Sequence, residues 1–379
     1  MRLAGEQPAR ESGAGINMAL PFKWLPHYRS LAIMALVVVL VVIQWRDRSP
    51  NSLDQPQQLL QGSTMGTTYT IHYRPEIGSP VLSEMQQFVS DELLRVNQQM
   101  STYLKDSEIS RFNASSSTDW FDVSVETASV VDLSLHISSL SHGAFDVTVG
   151  PLVNLWGFGA DKSRKTIPSE SEIEAAKASV GYRNLAVQFE PPALKKSNAA
   201  LQVDLSAIAK GHGVDRVAGL FRKHGISNYF IEIGGEVFAQ GYRLDGRPWQ
   251  VGIEAPLENK QSIHSIIGLS GAAMATSGDY RNFFEADGQR FSHTIDPNTG
   301  RPVTHSLASA SVVCDSCALA DAIATCMMVL GFERGSQLAE TENWAVLLMQ
   351  RNENQISSTC SKAFSDSFPS VCKQLTVAK

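Results

Sequence analysis

The chain has 379 residues, of which 43% are hydrophobic and 18% charged, and its formal net charge is −6. This composition supplies ample apolar material for a core and excludes a wholly disordered chain, a collagen-like fibre and a small disulfide scaffold. The excess of acidic side chains argues against nucleic acid as a partner, because phosphate binding needs a basic surface. The length suits one large domain or two of ordinary size.

An uninterrupted apolar run at 31–43 dominates the N-terminus, and basic residues flank it on both sides. We predict a polar cytoplasmic segment at 1–29, an uncleaved signal anchor at 30–46 and a Pro-, Ser- and Gln-rich linker at 47–61. A cleaved signal peptide and a buried core helix are the alternatives, although no small-x-small cleavage site follows the run. With either signal, the bulk of the chain is exported.

Apolar spacing predicts the elements of the remaining chain, period two indicating strands and i, i+3/i+4 spacing indicating helices. Predicted strands cover 67–73, 185–189, 201–205, 229–233, 249–254, 265–269, 309–314 and 344–349. Predicted helices cover 81–96, 127–140, 169–179, 207–223 and 318–330. Because strands and helices do not alternate strictly, the fold class is mixed α/β (α+β), with largely antiparallel sheets and packed helices.

Five cysteines lie in the C-terminal part of the chain. Cys360 and Cys372 can pair in an oxidising compartment and pin the tail. Cys314 and Cys317 have C-x-x-C spacing, and Cys326 follows them. A disulfide, a zinc site and plain buried thiols all remain open for these three, although a zinc site lacks a second ligand pair.

Three segments rich in glycine or aromatic residues are candidates for ligand contact. In 62–68, Gly66 can let backbone N–H groups approach a ligand, or it forms a strand-entry turn. In 100–113 and 143–152, a Tyr or Phe can cover a flat aromatic ligand, or it belongs to the core.

The segment 203–213 passes from a predicted strand into a helix. Gly211 and Gly213 lie in the first turns of that helix, where each costs about 1 kcal/mol relative to Ala. That cost indicates close packing or close approach of a ligand. Lys210 adds positive charge at a helix N-terminus, which favours an anion.

His293 lies in a polar segment beside the turn 296–300. An imidazole is a suitable base for a hydroxyl nucleophile, although a single His is also a common structural residue.

Asp321 and Thr325 lie four residues apart in a predicted helix and therefore project from one face. A carboxylate and a hydroxyl suit a hard cation such as Mg²⁺, with substrate phosphates as further ligands. A simple side-chain contact on the helix is the alternative.

Taken together, these segments resemble the ApbE family of FAD:protein FMN transferases. The motifs appear in family order: STYLKDSEISRFN (101–113), FDVTVGPLVNLWGFG (145–159), VDLSAIAKGHGVD (203–215), IGGEV (233–237), TSGDYRNFF (276–284), SHTIDPNTGRPV (292–303) and DAIATCMMVLG (321–331). The resemblance implies an ApbE/T-fold-like catalytic domain at 62–350, followed by a C-terminal tail at 351–379.

The resemblance also implies a reaction. The enzyme would use Mg²⁺ and FAD, move FMN to a Thr or Ser hydroxyl of an exported flavoprotein such as a redox-complex subunit, and release AMP. It would be held at the bacterial inner membrane with its catalytic domain in the periplasm.

Site residues are carried over from the family motifs. The metal ligands would be Asp321, Thr325 and the backbone carbonyl of Ala207, and His293 would be the catalytic base. FAD would contact Met65, Tyr103, Ala144, Phe145, Asp146, Asp204, Lys210 and Ile295. Two alternatives stay open: a metal-dependent FAD pyrophosphatase that uses water in place of the hydroxyl, and a flavin-binding protein without catalysis.

Overall fold

The computed structural model describes residues 56–159, 166–257, 262–279, 283–286, 289–352 and 355–377. The predicted signal anchor at 30–46 lies outside these ranges. Within them, no helix combines the length and apolar character that crossing a membrane requires.

The strands of the described chain are β1 (Gln58–Thr64), β2 (Thr67–Tyr73), β3 (Phe121–Asp122), β4 (Leu185–Phe189), β5 (Pro192–Lys196), β6 (Tyr229–Ile233), β7 (Glu236–Gln240), β8 (Trp249–Glu254), β9 (Ile263–Leu269), β10 (Ala272–Gly278), β11 (Phe283–Ala286), β12 (Gln289–Ser292), β13 (Ile295–Asp296), β14 (Arg301–Pro302), β15 (Leu307–Cys314), β16 (Ala345–Asn352) and β17 (Gln355–Cys360). The helices are α1 (Leu82–Met100), α2 (Glu108–Ala114), α3 (Val125–Leu140), α4 (Gly150–Leu155), α5 (Glu170–Lys177), α6 (Ala209–Lys223), α7 (Cys317–Thr341), α8 (Lys362–Ser367) and α9 (Pro369–Val377).

Eight strands form one sheet in the order β1-β2-β6-β7-β10-β15-β16-β17, and every neighbouring pair is antiparallel. A three-stranded sheet, β3-β5-β4, and the hairpins β8-β9, β11-β12 and β13-β14 complete the strands. The predicted mixed α/β class with largely antiparallel sheets is therefore confirmed.

Both faces of the large sheet are buried, as β16 illustrates. Val346 and Leu348 join the core that α7 covers, whereas Leu347 and Met349 join the core that contains the hairpin β8-β9 and helices α8 and α9. This alternation follows from the period of two along a strand.

Helices α6 and α7 meet at a very close contact on one face of the sheet. A Cβ on Gly211 would lie 2.3 Å from the carbonyl oxygen of Cys317, so only glycine fits there. Asp215 of α6 then caps α7 by accepting the backbone N–H groups of Cys317 at 2.8 Å and Ala318 at 2.9 Å. The glycine that sequence reasoning associated with packing or ligand approach thus serves helix packing.

The predicted strand at 201–205 is wrong. Gln202 makes only an isolated bridge to Val149, because side chains take the backbone groups that a neighbouring strand would pair with. Asn113 bonds both the N–H of Val203 at 2.7 Å and its carbonyl at 2.8 Å. The buried ammonium of Lys196 donates to the carbonyl of Leu201 at 3.2 Å.

The observed ends of several other strands and helices differ from the predicted ones. Strand β1 includes the last residues of the segment expected to be a linker, and β5 was not predicted. The helix predicted from 207 begins at Ala209. The predicted end of the last core helix, at Leu330, matches a break in α7 where Gly331 adopts φ +74°.

The C-terminal tail adds β17, α8 and α9 to the domain. The expected disulfide between Cys360 and Cys372 is present and joins β17 to α9. Cys314, Cys317 and Cys326 are free thiols, and the last two are buried. Of the alternatives left open for these three, unpaired thiols are what the structure shows.

Candidate functional site

A cleft of about 780 Å³ opens between the β1–β2 turn, the loop after α1 and the start of α6. It gathers four residues that the family resemblance assigned to FAD: Met65, Tyr103, Asp204 and Lys210. Met65 has the unusual φ of +49° for a residue with a side chain. Residues held in such conformations cluster at functional sites.

Tyr103 lies at the mouth of this cleft with 58% of its surface exposed. Partial burial and the nearby charge of Asp204 raise the pKa of its hydroxyl, so the ring is neutral at physiological pH. An exposed aromatic ring and a flexible Met side chain in the same cleft suit a flat aromatic ligand.

Lys210 forms the inner wall of the cleft and connects it to two buried carboxylates. Its Nζ lies 3.0 Å from Oε1 of Glu236 and 3.5 Å from Oδ2 of Asp321. Burial opposes the charge of Lys210, but the two carboxylates outweigh this and raise its pKa above the ordinary value. The result is a permanent cation next to the cleft.

Glu236 is 4% exposed, and its Oε2 has no hydrogen-bond partner. Burial raises the pKa of Glu236 to about 7, with Lys210 opposing the rise and Asp321 adding to it. An orphaned carboxylate oxygen of this kind indicates a place where a cation or a donor group belongs.

Asp321 and Thr325 share one face of α7, as their spacing predicts. Asp321 is 2% exposed and accepts the backbone N–H of Gly211 at 3.1 Å. Burial raises the pKa of Asp321, while Lys210 and this hydrogen bond lower it. Oγ1 of Thr325 lies 3.3 Å from Oγ of Ser277, which belongs to β10.

The oxygen atoms of Asp321 and Thr325 fit a Mg²⁺ ion that takes only a few of its ligands from the protein. In the described ranges, no group of three or more His, Cys, Asp or Glu side chains is placed to hold a metal. Mg²⁺, however, is commonly bound by one or two carboxylates, with waters and substrate phosphates as its other ligands. Ala207 lies in the turn just before α6, close in sequence to Lys210.

Three other predicted FAD residues lie in a neighbouring region. Ala144 and Phe145 are buried in the core against α3 and α7. The buried carboxylate of Asp146 accepts the N–H and hydroxyl of Thr148 and the N–H of Tyr182, at 2.7–2.8 Å. This carboxylate therefore organises its own loop.

Ile295 is buried in a small cluster with Trp156 and Ile173. The loop of Ile295 lies close to the 143–146 stretch: a Cβ on Gly143 would be 3.8 Å from Oδ1 of Asn298. The 143–146 stretch connects to the cleft through Asp204, whose N–H donates to the carbonyl of the adjacent Val147 at 2.7 Å.

His293 follows β12, and its ring stands edge-on to Phe158 with centroids 6.3 Å apart. The hairpin β11-β12 is fastened to the end of β10 by Arg290, whose Nη2 donates to the carbonyl of Asp279 at 2.7 Å. Ser277, which lies beside Thr325, is two residues before Asp279 on the chain. The candidate base and the candidate metal ligands therefore both connect to the end of β10.

Sequence reasoning missed Glu236, Ser277 and Asp215. A signal for Glu236 existed, because a single acidic residue stands between Gly234-Gly235 and the apolar run that follows it. Ser277 and Asp215 gave no local signal, since their partners lie on elements distant in sequence.

A model of the ApbE family matches residues 65–348. The FAD:protein FMN transferase of Vibrio cholerae is 45% identical over 305 residues, covering 80% of this chain and 91% of the relative. The FAD:protein FMN transferase of Escherichia coli K12 is 35% identical over 339 residues, which cover 89% of this chain and 96% of the relative.

Two solved structures share the fold. The flavin transferase ApbE from Vibrio cholerae aligns with a TM-score of 0.77 at 43% identity, over 82% of this chain and 99% of its own. The Pseudomonas stutzeri flavinyl transferase ApbE in its apo form aligns with a TM-score of 0.76 at 38% identity, over 83% and 97%.

Proposed function

The chain belongs to the ApbE family, and we propose that, as an FAD:protein FMN transferase, it uses Mg²⁺ to move FMN from FAD to a Thr or Ser of an exported flavoprotein. The observation that carries the proposal is the cluster of Lys210, Glu236 and Asp321 at the wall of the cleft. This cluster supplies a fixed cation for the phosphates and a buried carboxylate that can hold Mg²⁺, and phosphoryl transfer from a pyrophosphate relies on positive charge of both kinds.

The two groups of candidate contacts support one position for FAD. The flavin ring lies in the cleft beneath Tyr103 and against Met65. The pyrophosphate passes Lys210 and the face of α7 that bears Asp321. The adenosine end runs toward the loops of Asp146 and Ile295, and Asp204 is bonded to the first of these through Val147.

The reaction is a displacement at the FMN phosphorus. The acceptor hydroxyl oxygen forms the new P–O bond, and the P–O bond to the AMP phosphate breaks, so that AMP leaves with the electron pair. His293 takes the proton of the hydroxyl, which is a poor nucleophile until that proton is removed. Lys210 neutralises phosphate charge through the displacement.

Asp321, Thr325 and the carbonyl of Ala207 would hold Mg²⁺. When bound, the ion supplies polarisation of the pyrophosphate oxygens and stabilises the leaving phosphate. The buried carboxylate of Asp321 is oriented for this task by the N–H of Gly211.

We also propose that residues 30–46 anchor the enzyme in the inner membrane, with the catalytic domain in the periplasm. The apolar run at 31–43 supports this. The disulfide Cys360–Cys372 supports it as well, because disulfides persist in oxidising compartments.

The test uses the full chain in detergent with FAD, MgCl₂ and the flavin-free FMN-bearing domain of an exported electron-transport subunit. Intact-mass spectrometry of that domain should show a covalent gain of one FMN, abolished by EDTA. Release of FMN and AMP without this gain would favour the pyrophosphatase. FAD binding with neither product would favour a flavin carrier.

A further inference from the structure

A second cleft, of about 470 Å³, lies between strand β8 and the large sheet. Its walls come from β8 and from the ends of β2, β6, β7 and β10. None of the residues assigned to FAD or to the metal lines it. The reaction proposed above joins two substrates, and this cleft is separate from the one that suits the flavin.

Strand β8 has one pairing edge unused in the described part of the chain. It pairs with β9 alone, in a two-stranded sheet. Its residues Trp249, Val251 and Ile253 pack against the large sheet in the same core as Val237 and Met274. This packing holds β8 in place while its backbone borders the cleft.

The lining of this cleft is suited to a polypeptide backbone. Its side chains include the hydroxyls of Thr67, Thr68 and Thr276 and the amide of Gln250. The carboxylate of Glu232, which also lines the cleft, accepts the N–H of Gly235 at 2.7 Å, and no atom lies within 4 Å of where a Cβ of Gly235 would be, so this turn leaves space beside the cleft. Extended peptides bind by adding a strand to such an edge, with backbone hydrogen bonds supplying affinity.

The cleft reaches the catalytic cluster at one end of the sheet. Thr276 and Gly278 line it, whereas Ser277 between them points to the other face and lies 3.3 Å from Thr325. In the turn between the neighbouring strands β6 and β7, a Cβ on Gly234 would lie 3.4 Å from Cδ of Lys210. The hairpin that bears His293 is fastened to Asp279, the next residue after β10.

From this convergence we propose that the second cleft binds the acceptor protein. An extended segment of the acceptor pairs with the free edge of β8 and carries its Thr or Ser over the end of the sheet to the cluster of Lys210, Glu236 and Asp321. The inference rests on the proposed transferase function and specifies where its second substrate is recognised.

Two substitutions add bulk at residues of β8 that line the cleft. A Cβ at Gly252 meets only Ile263 at 3.6 Å or more, which is ordinary contact, so Gly252→Leu is compatible with folding. Gln250→Trp extends a large ring from an exposed position on the same strand. The matched control is Gly219→Leu on α6, where the nearest atom to an added Cβ is 3.9 Å away.

Full-length variants are assayed with FAD, MgCl₂ and the same acceptor domain at varied concentration. Both cleft variants should raise the KM for the acceptor by about tenfold or more and leave the KM for FAD unchanged. The control should match the wild type. An unchanged acceptor KM in both cleft variants would overturn the inference. A wild-type enzyme that transfers no FMN would instead count against the proposed function.

Amide hydrogen exchange supplies a readout that does not depend on these substitutions. Saturating the wild-type enzyme with the acceptor domain should slow exchange at 249–254, because strand addition protects backbone N–H groups. Protection confined to other segments would overturn the placement at β8.

Discussion

Gly211 donates its backbone N–H to Oδ2 of Asp321 at 3.1 Å, at a contact between α6 and α7 that leaves no room for a Cβ. The absence of a side chain at Gly211 and the orientation of Asp321 therefore depend on each other. A helix contact that is tight enough to exclude a Cβ also fixes the carboxylate that we assign to the metal.

Gly211→Ala should destabilise the protein by about 1–3 kcal/mol, because the new Cβ collides with the carbonyl of Cys317 and forces α6 and α7 apart. Urea denaturation measures the effect. Gly219→Ala is the control and should be neutral or stabilising, since it adds helix propensity at a position with open space. Equal stability of the wild type and Gly211→Ala would contradict the contact.

Asp321→Asn should lower Mg²⁺-dependent FMN transfer by about two orders of magnitude, because the neutral amide cannot hold the cation as a carboxylate does. Transfer is measured against MgCl₂ concentration, with the circular dichroism spectrum checking the fold. Asp245→Asn, on the surface next to Arg247, is the matched control. Full activity in Asp321→Asn would remove this residue from the metal site.

His293→Ala should lower transfer by about 100-fold or more while FAD still binds, because the acceptor hydroxyl loses its base. Quenching of flavin fluorescence measures binding, and intact mass of the acceptor measures transfer. If transfer proceeds at the wild-type rate, the proton acceptor is another group.

Stability should depend on His212 in acid. Burial, with the charge of Arg216 adding to it, lowers the pKa of His212 from 6.5 to about 4. Between these values the unfolded chain binds a proton that the folded chain does not, so the unfolding free energy falls as pH falls. The total loss is about 3 kcal/mol.

His212→Gln should remove this part of the pH dependence. Urea denaturation of both proteins at pH 7 and at pH near 4 gives the comparison. The difference in unfolding free energy between wild type and variant should be smaller at pH near 4 than at pH 7, because only the wild type loses the contribution of His212 in acid. Parallel curves for wild type and variant would show that His212 titrates alike in both states.

The disulfide should stabilise the C-terminal tail. Replacing Cys360 and Cys372 together by Ser should cost about 3 kcal/mol, since the bridge closes a short loop in the unfolded chain. FMN transfer should stay near the wild-type rate, because none of the described residues of the tail lines either cleft. Limited proteolysis followed by mass spectrometry should show faster cleavage after 360.

Local pattern determined much of the fold from the sequence alone. Alternating apolar residues set β2, β6 and β8, because a strand places successive side chains on opposite faces. The spacing of Asp321 and Thr325 placed both on one helix face, because that relation depends only on the pitch of an α-helix. Motif order predicted the family, which the comparisons confirm.

Tertiary structure decided what depends on distant partners. The apolar pattern at 201–205 suits a strand, but Asn113 and Lys196 occupy its backbone groups, and no local rule reveals them. The pairing of Lys210 with Glu236 joins α6 to β7. The free edge of β8 is likewise visible only in the tertiary structure, because strand pairing is a property of the assembled sheet and not of any one strand.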